Sequence, residues 1–229
     1  MTKLETCFYV VGTPIGNLGE MSLRAIDILK SVEIIFCEDT RHSLKLLNHF
    51  QISKPLRSAP YFKENQAGDE ILSNLRLGKK IAFITDAGMP GVSDPGAKLV
   101  GLVREAGFKI EVIGGVSSLT SFIAGLGREL ESFRFVGFLP SRTQDRKKFF
   151  SEDVLEPTIF FESPHRIEGT LDLIIEIRPE SDLGLGKEIS KISEAFYLGK
   201  PSAVKAGVRS FKGEWIGCLF PTKVERKNR

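Results

Sequence analysis

The chain has 229 residues, of which 41% are hydrophobic and 27% are charged, a composition typical of a soluble globular protein with one large or two small domains. The formal net charge is only +3, so the overall charge does not indicate nucleic-acid binding, and any such surface has to be a local basic patch. The sequence contains no run of 18 apolar residues and no apolar signal-peptide core at its start. We therefore expect no membrane span and a cytoplasmic location.

Three scattered cysteines, Cys7, Cys37 and Cys218, each lie beside a strand-like run. This spacing favours buried thiols in a reducing compartment. The motifs CxxC and HExxH do not occur, and the three histidines do not cluster. We therefore expect no metal site.

The first half of the chain alternates strand and helix patterns. Strands are predicted at residues 8–11, 34–37, 81–84 and 110–113, and helices at residues 22–30, 42–50, 69–77 and 97–106. Ser22 is a predicted cap of the first helix and Asp94 of the last, whereas Asn65 is placed in a polar loop. This alternation predicts a parallel sheet that is covered on both faces.

The second half has fewer helices between its strands. Strands are predicted at residues 133–138, 158–161, 183–186 and 215–220, and helices from Ser117 or Ser118 to Gly127, at 164–177 and at about 202–211. Strands without intervening helices imply antiparallel pairing. We predict an α/β fold with an N-terminal domain over 1–117 whose sheet is mainly parallel, a C-terminal domain over 118–222 with a mixed sheet, and a disordered basic tail over 223–229.

The most informative segment is the loop at 85–96, which is rich in Gly, Pro, Asp and Ser and follows a buried strand. Ligands bind at such carboxyl ends of parallel strands. Polar loops at 12–17, 38–42 and 114–118 follow the other three predicted strands. We therefore expect the four loops to share one edge of the sheet. The 85–96 loop is neither a P-loop nor a G-x-G-x-x-G loop.

Taken singly, each of these segments also has a purely structural interpretation. The loop at 12–17 is compatible with a simple turn and the one at 114–118 with a helix start. The segment at 38–42 is compatible with a helix capped by Asp39 or Thr40 and an ion pair between Glu38 and Arg41. The basic run at 142–148 is either a nucleic-acid contact or a solvated helix start.

Two segments of the second half have the same two interpretations. His165 and Arg166 lie at a predicted helix start, which favours a nearby anion or RNA phosphate, although His165 alone is compatible with an ordinary surface residue. The segment at 187–191 is compatible with an exposed turn that contains charge pairs.

Five motifs in one order identify a resemblance. They are GTPIGN at 12–17, CEDTRH at 37–42, DAG at 86–88 with SDPG at 93–96, GFLP at 137–140 and ESPHR at 162–166. With these motifs the chain resembles the tetrapyrrole methylase superfamily, and within it the RsmI-type ribosomal RNA ribose 2′-O-methyltransferases. The likeness runs from residue 8 to about 220.

The resemblance implies two α/β domains, S-adenosylmethionine held in the cleft between them, a homodimer, and ribosomal RNA or the small ribosomal subunit as partner. It implies methylation of a cytidine 2′-hydroxyl in small-subunit ribosomal RNA. The implied donor contacts are Pro14, Ile15, Asp86, Ala87, Gly88, Met89, Val92, Ser117, Ser118, Phe161, Glu162, Lys187 and Glu188. The implied RNA-facing residues are Glu38, Asp39, Arg41, Asn65, His165 and Arg166. The basic residues Arg142, Arg146 and Lys147 are expected from their charge to extend the same track. Glu38, Asp39, Glu188 and Lys191 are unranked candidates for the group that accepts the hydroxyl proton.

Two alternatives stay open at this stage. One is a small-molecule methylase that acts on a tetrapyrrole-like ring. The other is a catalytically silent donor-binding module of ribosome assembly, since the histidines of the family's Tyr-His-Glu-His-Asn-like segment are absent from residues 61–65.

Overall fold

A computed structural model describes residues 6–222, so the predicted basic tail at 223–229 lies outside the described residues. The chain divides into two compact units, Met1–Ser117 and Ser118–Arg229. We call them the N-unit and the C-unit.

The N-unit contains one five-stranded parallel sheet, as the alternating pattern predicts. Its strands are β1 Cys7–Val11, β2 Ile34–Cys37, β3 Leu56–Ser58, β4 Ile81–Ile84 and β5 Lys109–Ile113, in the order β3-β2-β4-β1-β5. Strand β3 was not predicted, because its three residues are too few to show an apolar pattern. The three central strands are buried on both faces, which explains their continuous apolar sequences.

Four helices cover the two faces of this sheet: α1 Leu23–Ser31, α2 Thr40–His49, α3 Glu64–Arg76 and α4 Ala97–Glu105. Leu29 of α1 and Leu47 of α2 pack in the core on one face, and Ile71 of α3 and Leu99 of α4 pack in the core on the other. The sheet is therefore covered on both sides, as predicted.

The helix starts show which caps the sequence predicts correctly. Ser22 Oγ accepts a hydrogen bond of 3.1 Å from the Ala25 N–H, so the predicted cap of α1 is confirmed. The predicted loop around Asn65 is wrong, because α3 begins at Glu64 and Asn65 lies exposed in its first turn. The predicted cap Asp94 is also wrong. Gly96 occupies the position before α4 with a φ of 122°, and its N–H donates to the buried Glu64 carboxylate over 2.7 Å.

The C-unit contains the predicted mixed sheet. Its strands are β6 Arg134–Phe138, β7 Thr158–Glu162, β8 Leu183–Lys187, β9 Ala195–Gly199 and β10 Trp215–Leu219, in the order β6-β7-β10-β8-β9. Strands β6 and β7 are parallel, and the other pairs are antiparallel. Strand β9 was not predicted.

The helices of the C-unit are α5 Ser118–Gly125, α6 Thr143–Ser151, α7 Ile167–Ile177 and α8 Pro201–Gly207. Helix α6 begins within the basic run at 142–148, as the helix-start interpretation of that run predicts, and its Phe150 is fully buried. Helix α8 ends four residues earlier than predicted. Within the described part of the chain, no helix combines the length and hydropathy needed to cross a bilayer.

Candidate functional site

The loops that follow β1 and β4 are joined by main-chain hydrogen bonds. The Thr13 N–H donates to the Gly88 carbonyl over 2.9 Å, and the Gly88 N–H donates to the Thr13 carbonyl over 3.1 Å. The Thr13 hydroxyl also donates to the Thr85 carbonyl over 3.2 Å. The segments 12–17 and 85–96, which we call the β1 loop and the β4 loop, therefore form one structure.

The segment 114–117, the β5 loop, reaches the same place. Its Gly115 lies so close to Gly12 that a Cβ atom on Gly12 would come within 2.8 Å of Gly115 Cα and 2.5 Å of Met89 Sδ. A Cβ atom on Gly115 would lie 2.9 Å from the Gly12 carbonyl carbon. Only glycine allows this approach of two main chains, which explains why both loops carry it.

The β4 loop has an unusual backbone. Gly88, Gly91 and Gly96 have φ angles of 78°, 89° and 122°, and Ser93 adopts a φ of 59° in the left-handed region. Such conformations turn successive peptide groups toward one side and are found at ligand-binding loops. Five expected donor contacts lie in this loop with different exposure: Ala87 and Val92 are exposed, Asp86 and Met89 are half-buried, and Gly88 is buried.

Residues 38 and 39, which we call the β2 loop, lie at the same edge and are linked to the β4 loop through the Asp86 carboxylate. The Asp39 N–H donates to Asp86 Oδ1 over 3.3 Å. Loops from four strands therefore meet at one edge of the N-unit sheet, as the parallel arrangement predicts.

Asp39 caps α2 and pairs with Arg41. Asp39 Oδ1 accepts the Arg41 N–H over 2.8 Å, and Asp39 Oδ2 lies 2.7 Å from Arg41 Nη2. Hydrogen bonds from the Arg41 side chain and N–H lower the pKa of Asp39 to about 2. The helix-cap interpretation of this segment is thus correct, but the expected partner of Arg41 is wrong, because the guanidinium binds the capping residue Asp39.

Glu38 lies beside the Asp86 carboxylate. Burial raises the pKa of Glu38 above its ordinary value, and the negative charge of Asp86 raises it further, although a hydrogen bond from the Asp86 N–H opposes both effects. Acidic groups with a raised pKa are common at proton-transfer sites, so Glu38 is a candidate for such a role.

A cleft of about 230 Å³ opens next to this carboxylate pair, entirely within the N-unit. Its lining residues come from the β1 loop and the residue that follows it, from α2 and from the β4 loop. They are Pro14, Gly16, Leu18, His42, Lys45, Leu46 and Asp86. We call it the α2 cleft. Lys45 and Leu46 belong to none of the sequence motifs, although they follow His42 by three and four residues, a spacing that places the three side chains on one helix face.

In the C-unit, Glu162 supports the structure around its own helix start. Its side chain is fully buried. Oε1 accepts the Ser163 N–H at 2.8 Å and lies 2.6 Å from Arg166 Nη2, and Oε2 accepts the Thr170 hydroxyl at 2.8 Å. In this conformation the carboxylate bonds only to its own helix start, and its expected donor contact stays a prediction. Arg166, expected to face RNA, is held by Glu162 instead, while His165 is exposed.

Two of the four catalytic candidates bind each other. Lys191 Nζ lies 3.0 Å from Glu188 Oε1 and 2.9 Å from Glu214 Oε2. Burial alone would raise the pKa of Glu188, but the Glu214 N–H and Lys191 outweigh it and lower this pKa. Burial alone would lower the pKa of Lys191, but its two carboxylate partners raise it. Both shifts favour the charged pair.

The basic run in α6 is only partly available to a nucleic acid. Arg146 is 6% exposed, and its guanidinium donates to the Pro140 and Ser141 carbonyls over 3.0 and 2.7 Å. The expected RNA contact of Arg146 is wrong, because this side chain closes the turn before α6. Lys147 is exposed and lies 2.6 Å from Glu176, and Arg142 is exposed just before the helix.

The other expected donor contacts occupy strand and helix ends. Ser117, Ser118 and Phe161 are half-buried, and Lys187 Nζ donates to the Ser210 carbonyl over 2.9 Å. Within residues 6–222, no three His, Cys, Asp or Glu side chains come together as metal ligands.

Comparisons with known proteins identify the family. The model of the tetrapyrrole (corrin/porphyrin) methylases matches residues 7–203. The ribosomal RNA small subunit methyltransferase I of Neisseria meningitidis serogroup B is 40% identical over 95% of this chain and 77% of its own length. That of Mesomycoplasma conjunctivae is 42% identical over 100% of this chain and 97% of its own.

Solved structures show the same fold at low identity. A diphthine synthase superposes with a TM-score of 0.69 at 13% identity, covering 94% of this chain and 90% of its own. The uroporphyrin-III C-methyltransferase of Thermus thermophilus, in complex with S-adenosylhomocysteine, gives 0.62 at 18% identity, covering 93% and 96%. The chain therefore belongs to the tetrapyrrole methylase family and, within it, to the group of the ribosomal RNA small subunit methyltransferases I.

Proposed function

We propose that this protein transfers the methyl group of S-adenosylmethionine to the 2′-hydroxyl of a cytidine in small-subunit ribosomal RNA. The observation that carries the proposal is the meeting of four strand-end loops beside the Glu38–Asp86 carboxylate pair. The names of the relatives at 40 and 42% identity support ribosomal RNA as the substrate. The S-adenosylhomocysteine bound by a protein of this fold supports the donor.

The β1, β4 and β5 loops suit a donor of this kind. The absence of Cβ atoms at Gly12 and Gly115 lets main chain meet main chain, and Gly88 turns its peptide into the same region with a φ of 78°. In our proposal Pro14, Ile15, the 87–92 segment and Ser117 hold the donor. Once bound, the donor supplies an electrophilic sulfonium methyl, and the protein has to align it with the hydroxyl oxygen.

The residues of the N-unit have separate tasks in this proposal. Glu38 accepts the hydroxyl proton as the oxygen–carbon bond forms and the carbon–sulfur bond breaks. A positioned base contributes about 10²–10⁴-fold to such a rate. Arg41, whose side chain is 88% exposed, turns from Asp39 to an RNA phosphate. Correct alignment of the reactants contributes as much as about 7–11 kcal/mol.

The four candidates for the base differ in the direction in which their surroundings shift the pKa. Burial and a like charge raise the pKa of Glu38, which improves it as a base. The pKa of Asp39 is lowered to about 2 by Arg41, and that of Glu188 is lowered by its partners, so both are weaker bases. The raised pKa of Lys191 keeps it protonated. We therefore assign the proton transfer to Glu38.

The two alternatives receive less support. The relatives at 40 and 42% identity are ribosomal RNA methyltransferases, whereas the uroporphyrin methyltransferase matches at 18% identity, which shows the fold alone. A silent donor-binding module would not need an acidic pair at the loop edge, and the pair is present.

We also propose a homodimer that works in the cytoplasm, where ribosomal subunits are its substrate. The exposed apolar side chains of the edge strand β9 support the dimer: Phe196 is 37% and Leu198 45% exposed. Sedimentation of the wild type and of Leu198→Asp tests it. A dimer that the substitution dissociates is expected, and a monomeric wild type contradicts this part.

The central test measures transfer of labelled methyl from S-adenosylmethionine to small ribosomal subunits isolated from a strain that lacks this gene. We expect one new ribose methylation, mapped by mass spectrometry, and none on a porphyrinogen.

Arg41→Ala should weaken RNA binding and leave donor binding, measured by calorimetry, unchanged. The exposed Lys30 at the end of α1, near the opposite edge of the sheet, provides the control variant Lys30→Ala. Donor binding without transfer to either substrate would contradict the proposal.

A further inference from the structure

The α2 cleft is close in size to a single small ligand. Its volume of about 230 Å³ lies below the roughly 300–1,000 Å³ of pockets for drug-sized ligands. A tetrapyrrole ring is larger than such a ligand, whereas one nucleoside is smaller. The volume therefore favours a nucleoside.

The lining of the cleft has the chemistry that a nucleoside requires. Leu18 and Leu46 present an apolar surface for a base removed from its stack. Asp86 presents a carboxylate, the acceptor that distinguishes the amino group of cytosine from the carbonyl oxygen of uracil.

Two cationic or titratable side chains stand on the helix that forms the outer wall. His42 and Lys45 are exposed, three residues apart on α2, and both line the cleft. Side chains of this kind bind the phosphates that flank a nucleotide and so fix its position without reading its base. Glu38, the proposed base, directly precedes Asp39, whose N–H donates to Asp86 Oδ1 over 3.3 Å.

We propose that the α2 cleft holds the nucleoside that is methylated and that Asp86 selects cytosine by accepting a hydrogen bond from its exocyclic amino group. The inference rests on the proposed function. It moves Asp86 from the expected donor contacts to the recognition of the substrate base. It also gives His42 and Lys45, which no motif singled out as RNA contacts, the role of phosphate ligands.

The test compares small subunits reconstituted with ribosomal RNA that carries either cytidine or uridine at the mapped position. The wild type should prefer cytidine by about 5–150-fold in kcat/KM, the discrimination that one good base contact provides. Asp86→Asn keeps an oxygen for the Asp39 N–H and adds an amide donor for the uracil carbonyl. This variant should remove or reverse the preference while donor binding stays unchanged.

Two further variants separate recognition from folding. Leu18 is 41% exposed, so Leu18→Trp narrows the cleft without disturbing the core, and it should raise KM for the subunit at least severalfold with the same donor affinity. The double variant His42→Ala, Lys45→Ala should also raise KM, whereas Lys30→Ala should not.

The possible results are distinct. Equal methylation of both subunits by the wild type, or an unchanged preference in Asp86→Asn, overturns the inference while the proposed function stands. Weaker donor binding by the Asp86→Asn variant would show that Asp86 contacts the donor, and this result also overturns the inference. A wild type that methylates neither subunit refutes the proposed function, and the inference with it.

Discussion

Gly12 and Gly115 lie in loops that follow different strands, yet a Cβ atom on Gly12 would approach Gly115 Cα to 2.8 Å. Real Cβ atoms essentially never come this close to main-chain atoms, so one of the loops has to move when either glycine is replaced. The geometry of the proposed donor site therefore requires that both positions lack a side chain.

Gly12→Ala should therefore separate the β1 and β5 loops. We expect a loss of about 1–3 kcal/mol of stability, the usual effect of overpacking, and a loss of donor affinity of tenfold or more. Calorimetry with S-adenosylmethionine and thermal unfolding measure these effects. The matched control is Gly114→Ala, because a Cβ atom there meets nothing within 4 Å and the backbone has no positive φ. Similar behaviour of the two variants would show that the contact does not limit donor binding.

The activity should depend on pH through Glu38. Burial and Asp86 raise the pKa of this carboxyl, and only its deprotonated form accepts a proton, so activity is lost as pH falls through the raised value. The acid limb of kcat/KM should therefore lie above the ordinary value of 4.5 for a glutamate. Asp86→Asn removes the neighbouring charge and should shift this limb to lower pH.

Glu38→Gln should reduce kcat by about 10²–10⁴-fold and abolish the acid limb. Donor binding should be retained, because the isosteric amide preserves the shape of the loop. An acid limb that persists unchanged in Glu38→Gln would assign the titration to another group.

Glu162→Ala should destabilise the C-unit severely. The change leaves Arg166, the Ser163 N–H and the Thr170 hydroxyl without their buried partner, and breaking a buried ion pair costs about 3–5 kcal/mol. Trp215, the only tryptophan, pairs with Glu162 across β7 and β10, so its fluorescence reports urea unfolding of this sheet. Glu168→Ala, an exposed carboxylate on α7, is the control and should change stability little.

The cysteines should be inert toward thiol reagents in the folded protein. Cys7, Cys37 and Cys218 are buried free thiols, as their position beside strands predicts. Burial raises the pKa of all three and that of Cys218 to about 12, so the reactive thiolate is scarce at neutral pH. Titration with a disulfide reagent at pH 8 should find no fast-reacting thiol in the native state and three after unfolding in guanidinium. A fast native thiol would contradict the described packing.

Local patterns predicted the parallel sheet, the capped start of α1 and the positions of the four loops. Continuous apolar runs of four residues and the polar loops that follow them are properties of neighbouring residues, and the sequence displays them directly. Local reasoning reached its limit at α3 and α4. The residue before α4 is Gly96, and its N–H donates to Glu64 at the start of α3, 32 residues away in the sequence.

The sequence by itself determined the family, through short motifs in a fixed order, and the placement of candidate groups at strand ends. Only the tertiary structure decided which of these groups have partners: Arg41 binds Asp39, Arg166 binds the buried Glu162, and Arg146 closes a turn. It also brought Asp86 beside the β2 loop across 47 residues of chain. The physical reason is that the burial, pKa and hydrogen bonding of a side chain depend on neighbours that the folded chain supplies, and residue type alone does not specify them.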